Sequence, residues 1–207
     1  MDTHNESSQK ILVLASGNAG KAREFASLLA PLGYNVKLQK EFGIESPEED
    51  GLSFVENALL KARYAAKMTG YPAIADDSGI CVDALNGAPG IYSARFAGVH
   101  GDDKSNNEKL LELLRDVKED KRGAFYYCAL VLVRDKDDAV PVIATGAWYG
   151  SIGYKEVGAG GFGYDPLFIV KGRNCTAAQL PEQIKNLISH RARAMMKLKA
   201  LLHKDEI

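Results

Sequence analysis

The apolar positions of this chain change period several times, and each change marks an element. Ile11-Leu12-Val13-Leu14-Ala15 is a continuous apolar run stopped by Ser16-Gly17-Asn18, the pattern of a buried strand ending in a sharp turn. Lys21 then opens a helix whose apolar positions Phe25, Leu28, Leu29 and Leu32 recur at helical spacing until Pro31 and Gly33 end it. A short strand is predicted at 35–38. Ser53 with Glu56 three residues later is a capping-box signature, so a helix is predicted from 54 to about 68. Ala73-Ile74-Ala75 reads as a short apolar strand that runs into Asp76-Asp77-Ser78-Gly79, with another extended stretch at 80–82.

The second half has a different texture. Glycine and proline make a turn-rich loop at 87–97, and a helix is predicted at 106–114. Two β-branched and aromatic runs, 124–133 and 140–148, are separated by the polar Arg134-Asp135-Lys136-Asp137-Asp138 and read as a hairpin. Four glycines crowd the loop before Tyr164-Asp165-Pro166; a strand at 167–170 and one basic helix at about 181–202 follow. Alternating strands and helices followed by antiparallel pairs predict an α/β fold with a mixed central sheet and two lobes. With no internal repeat and no long linker, the expected organisation is a polar tail at 1–10 and a single domain at 11–207.

Composition narrows the partners. Twenty-six Lys plus Arg against 27 Asp plus Glu leave a net charge of -1, so there is no global positive field for nucleic acid or an anionic membrane. No apolar run approaches the ~18 residues of a membrane span. Cys81, Cys128 and Cys175 are odd in number, far apart and without a CxxC pair, which gives neither a disulfide framework nor a zinc site. A reducing, cytoplasmic setting is expected.

Five constellations carry candidate chemistry. Ser16, Gly17, Asn18, Ala19, Gly20 and Lys21 form a strand-to-helix turn in which backbone amides and an ammonium can cradle phosphate. It is not a P-loop, because only two residues separate the glycines and Ala22 stands where Ser or Thr would bind magnesium. Asp76 and Asp77 sit side by side after an apolar strand, facing opposite sides if strand geometry continues, so one can hold a divalent cation or activate water while the other braces a loop. The acidic loop with Glu48 and Glu49 offers another carboxylate, and Asn57 and Lys61 lie one turn apart on the following helix. In Gly160-Gly161-Phe162-Gly163-Tyr164-Asp165 the glycines permit close backbone approach and the rings offer faces for a nucleobase. Lys185, His190 and Arg191 include donors suited to a purine O6, which accepts, and unsuited to an adenine amino group, which donates. No nucleophile elbow or hydrolase triad is present.

Six blocks together resemble the inosine triphosphate pyrophosphatase family: SGNAGK, GLSFVENALLKA, ADDSG, GAPGIYSARFAG, GGFGYDP and ISHR, in order from about residue 11 to 202. The resemblance implies a homodimeric, magnesium-dependent enzyme with an elongated mixed sheet and two α/β lobes flanking a nucleotide-binding cleft. The activity it implies is hydrolysis of ITP, dITP and XTP to the monophosphate and pyrophosphate. By motif, residues 16–21 would contact the triphosphate, Asp77 would accept a proton and bind metal with Glu48, and Ser78 would contact substrate; if its helix face lines the cleft, Lys61 is a second phosphate cation. Phe162, Gly163, Tyr164, Asp165, Lys185, His190 and Arg191 would form the base pocket. The chain departs from the family at Cys175 and at Gln183-Ile184. Alternatives are a pyrophosphatase for modified pyrimidine nucleotides and a nucleotide-binding regulator without turnover.

Overall fold

The computed structural model describes residues 10–16 and 19–204. Its six strands form one sheet in the order β2-β1-β3-β4-β5-β6: β1 Lys10–Leu14, β2 Tyr34–Leu38, β3 Ala73–Val82, β4 Gly123–Val133, β5 Val142–Ile152 and β6 Phe168–Val170. β1 pairs in parallel with β2 and β3, whereas β5 and β6 are antiparallel, so the sheet is mixed and the fold is α/β. The helices are α1 Ala19–Leu29, α2 Phe54–Thr69, α3 Asp103–Leu113, α4 Glu182–Ile188 and α5 His190–Lys204.

The chain divides into two compact units, and the division falls within β3, β4 and β5. The first unit holds residues up to Asp77, the turn side of β4 and β5 (129–144), and the chain from Met195. Its core is the continuous apolar run of β1, in which Leu12, Val13 and Leu14 have no exposed surface, as expected of a strand with parallel neighbours on both sides. α2 packs on β1 through a face of small residues, Ala58, Ala62, Ala65 and Ala66. The helix starts where the cap requires: Ser53 Oγ accepts from Glu56 N at 3.2 Å, and the Glu56 carboxylate accepts from Leu52 N at 3.1 Å.

The second unit holds 78–128 and 145–194. Tyr126, Trp148, Phe168 and Tyr164 form its aromatic centre, with Leu110 of α3 and Leu114 just past its end packed in. Arg122 is only 1% exposed, and its guanidinium donates to Ile152 O, Leu114 O and Gly153 O at 2.8, 2.5 and 2.8 Å, while the Tyr154 ring lies 4.3 Å away. α5 approaches β5 closely at Gly146, where a Cβ would meet Ala194 N at 2.7 Å.

Two elements differ from the sequence expectation. The short strand expected at 73–75 and the extended stretch at 80–82 are parts of one ten-residue strand that continues through Asp76-Asp77-Ser78-Gly79, because Lys61 reaches the Asp77 carboxylate and the Asp76 carbonyl from α2. The single basic helix is two helices, since Ser189 adopts extended backbone (φ -65°, ψ 166°) between α4 and α5. Among the described residues, no helix is long and apolar enough to cross a membrane.

Candidate active site

In the first unit the strands and α2 bring two carboxylates and a backbone carbonyl to one lysine. Asn57 and Lys61 are buried on the same face of α2, and Lys61 Nζ reaches Asp77 Oδ1 at 2.8 Å, Glu49 Oε1 at 2.9 Å and the Asp76 carbonyl at 3.0 Å. The acidic loop is fastened to α2 as well: Gly51 N donates to Asn57 Oδ1 at 2.8 Å, and a Cβ at Gly51 would sit 2.6 Å from that oxygen. Glu48 was the expected second metal carboxylate, but it is exposed, and the structure brings Glu49 to Lys61. The two are neighbours in a loop, where Glu48 is exposed and Glu49 half-buried, so only Glu49 turns inward.

Burial dominates the electrostatics of this cluster. It pushes the Asp77 carboxyl above its usual range against the pull of Lys61, and Glu49 and Asp76 push the same way. Burial also works against the Lys61 charge, but Asp77 and Glu49 outweigh it and hold the ammonium above its usual value. Negative charge is therefore in excess around one cation. Asp77 Oδ2 is buried and accepts no hydrogen bond from the described residues, a costly state for a carboxylate oxygen. An orphaned oxygen beside a second carboxylate fits a hard divalent cation. Among the described residues no three His, Cys, Asp or Glu side chains converge, so at most two carboxylates are on offer and phosphate oxygens would complete the shell.

Ser16 lies just past β1, half-buried, with its N–H on the Leu14 carbonyl at 2.8 Å, and Ala19, Gly20 and Lys21 form the first turn of α1. Gly17, Asn18 and the side chain of Lys21 lie outside the described part of the structure. Ser78 is half-buried in β3, directly after Asp77.

The second unit assembles the other expected group. Asp165 is 2% exposed; its Oδ2 accepts from Phe162 N at 2.9 Å and pairs with Lys185 Nζ. That ammonium also lies 4.6 Å from the centroid of Phe162, whose ring is 64% exposed. Tyr164 does not offer a face as expected: it is buried, and its hydroxyl donates to Ser93 O at 2.7 Å, so it braces the loop from within. His190, at the start of α5, stacks on Tyr126 with centroids 4.8 Å apart and planes 10° from parallel. Arg191 follows it, half-buried. Tyr126, absent from the sequence expectation, is further tied to Asp165, and burial followed by that carboxylate pushes its phenol well above the usual value. Nothing in the alternating pattern of β4 distinguishes Tyr126 from any other inward aromatic.

Known proteins share this architecture and sequence. The model of the Ham1 family matches residues 12–201. A dITP/XTP pyrophosphatase of Salmonella paratyphi A is 56% identical over 187 residues, 90% of this chain and 94% of the relative. One from Xylella fastidiosa is 53% identical over 194 residues, 94% of this chain and 98% of the relative. Among solved structures, a HAM1 protein from Coxiella burnetii superposes with a TM-score of 0.91 at 43% identity, covering 95% of this chain and all of the other. The Staphylococcus aureus Ham1 protein gives 0.87 at 40%, covering 94% and 99%. Sequence blocks, strand order and close relatives agree over nearly the whole length, and the chain belongs to the Ham1 family.

Proposed function

We propose that this protein hydrolyses non-standard purine nucleoside triphosphates, ITP, dITP and XTP, to the monophosphate and pyrophosphate, removing deaminated purines from the nucleotide pool. The carrying observation is the buried Asp77 carboxylate, held by Lys61 through Oδ1, with Oδ2 accepting no hydrogen bond from the described residues. The Salmonella and Xylella relatives, named for dITP and XTP, support the substrate class. Magnesium, a homodimer and the cytoplasm belong to the same reading, together with one domain at 11–207 behind the tail at 1–10.

Asp77 and Glu49 would hold the metal, which when bound neutralises triphosphate oxygens as charge develops. Asp77 orients water and takes its proton as the water oxygen attacks the α-phosphorus. The bond from that phosphorus to the bridging oxygen breaks and pyrophosphate leaves, its charge met by Lys21 and Lys61. Lys61 also keeps Asp77 and Glu49 in place, so the base is positioned before substrate arrives.

Phe162 supplies the stacking face, and Lys185 with Arg191 supplies donors to an oxygen at C6. An adenine amino group would leave a buried donor unpaired, at about 1–3 kcal/mol, so discrimination of about 100-fold is expected. Pyrophosphate release with magnesium, measured over ITP, XTP, dUTP and the four standard triphosphates, tests the reading. Release from ITP and XTP far above the rest is expected. Equal kcat/KM for ATP and ITP, a preference for dUTP, or no release at all would overturn it.

A further inference from the structure

We infer that Asp103 and Asn107, one turn apart on α3, are positioning residues that hold the Phe162 loop and thereby set the preference for a purine carrying oxygen at C6. The inference rests on the base-pocket reading above. Gly163, the residue after Phe162, has both backbone groups taken by this one helix. Its N–H donates to Asp103 Oδ2 at 2.7 Å, and its carbonyl accepts from Asn107 Nδ2 at 3.1 Å. Residues i and i+4 share a helix face, which is why one element can grip both backbone groups of one residue. The other hydrogen of Asn107 Nδ2 goes to Glu156 Oε1 at 2.8 Å, and the side chain is 3% exposed. Asn107 is therefore committed to fastening two loops to α3.

What it fastens is a ring exposed by two-thirds of its surface. An exposed aromatic stacks on a base only if its backbone is fixed, and four anchors do this here. Phe162 N is held by Asp165, the two groups of Gly163 by α3, and the Tyr164 hydroxyl by Ser93 O. Gly163 adopts the left-handed region (φ 61°), so the chain reverses direction at the gripped residue. The Asp165 anchor is shared with Lys185, which the substrate reading already uses. The α3 grip is separate from that group and can be altered while Phe162, Lys185, His190 and Arg191 stay intact.

The test uses the full chain with Asn107→Asp, Asp103→Leu and Asp103→Asn, and Phe162→Ala as the reference. Asn107→Asp removes both donors and sets a carboxylate against Glu156. Asp103→Asn keeps an acceptor for Gly163 N, so it is the conservative variant. Pyrophosphate release from ITP and ATP is followed, with inorganic triphosphate as a competitive inhibitor that reports on phosphate binding without a base. For Asn107→Asp and Asp103→Leu, KM for ITP is expected to rise about tenfold with kcat within about twofold, well inside the 10²-fold that a 1 Å misplacement can cost. The ITP-to-ATP ratio falls, the inhibition constant of inorganic triphosphate stays put, and Asp103→Asn behaves like the parent. If Phe162→Ala raises KM while Asn107→Asp and Asp103→Leu leave KM and the ratio at parental values, the positioning role is overturned. A parallel rise in the inorganic triphosphate constant overturns it too, since that marks general damage. If Phe162→Ala itself changes nothing, the base-pocket reading fails, which is a distinguishable result. Should Asn107→Asp not fold, Asp103→Leu, on the exposed edge of α3, carries the test.

Discussion

Lys61 is the residue on which the first unit's chemistry is balanced, since it meets Asp77, Glu49 and the Asp76 carbonyl at once. Lys61→Met keeps the stem but strands buried carboxylates, and breaking such a group costs about 3–5 kcal/mol. A melting temperature lower by about 10 °C, with turnover lost, is expected by calorimetry and pyrophosphate assay. Asp138, near the turn between β4 and β5, is the opposite case. Burial alone would raise its carboxyl, but hydrogen bonds from Arg134 N and Val140 N, both 2.9 Å, and the Arg134 guanidinium outweigh it and hold the group below its usual value. A depressed carboxyl contributes stability that is complete above its unfolded value, about 3.8, and is lost as pH falls through the lower folded one. Asp138→Asn is therefore expected to cost about 1 kcal/mol at neutral pH and nothing at the acid end. Denaturant melts from pH 6 to 2 check this: the parent should lose its advantage over the variant only at the bottom of the range.

The elements were legible in sequence where local chemistry decided them. Ser53 and Glu56 start α2 because the cap is made within four residues, and the apolar run of β1 can only be buried. β3 was not legible as one strand, because an Asp-Asp-Ser-Gly run looks like a turn unless Lys61, fifteen residues earlier in sequence, is known to be waiting for it. The break at Ser189 was equally hidden, having neither proline nor glycine to announce it. Glu49 over Glu48, and the hold of α3 on Gly163, depend on which way a loop or a helix face turns, and residue type carries no such information. The break matters, because it starts a new helix at His190 and sets that helix against β5 at Gly146. A Cβ there would meet Ala194 N at 2.7 Å, so Gly146→Ala should push α5 outward, costing about 1–3 kcal/mol. Displacing His190 from Tyr126 should then raise KM for ITP more than it lowers kcat, as steady-state assays would show.

At the scale of the molecule, a total charge near zero conceals strong local imbalance. The first unit concentrates carboxylates around Lys61, and the second sets Lys185 against an exposed ring. The motifs were legible as a set because each keeps its own sequence block, although the blocks fall in different compact units. Asp77→Asn is expected to lower turnover by orders of magnitude while leaving the fold intact; near-parental rates would remove Asp77 from the chemistry. The raised carboxyl of Asp77 means that its ionised form is disfavoured in the folded chain relative to the unfolded one. At working pH the native state carries that burden, and a neutral amide of the same shape does not. The variant also takes from the buried Lys61 one of its two carboxylates, so the relief and the loss oppose each other and calorimetry should place its melting temperature within about 5 °C of the parent's. A ten-residue strand that fixes a buried carboxylate in its middle keeps a reactive group ready, and one lysine from the neighbouring helix offsets much of what that burial costs.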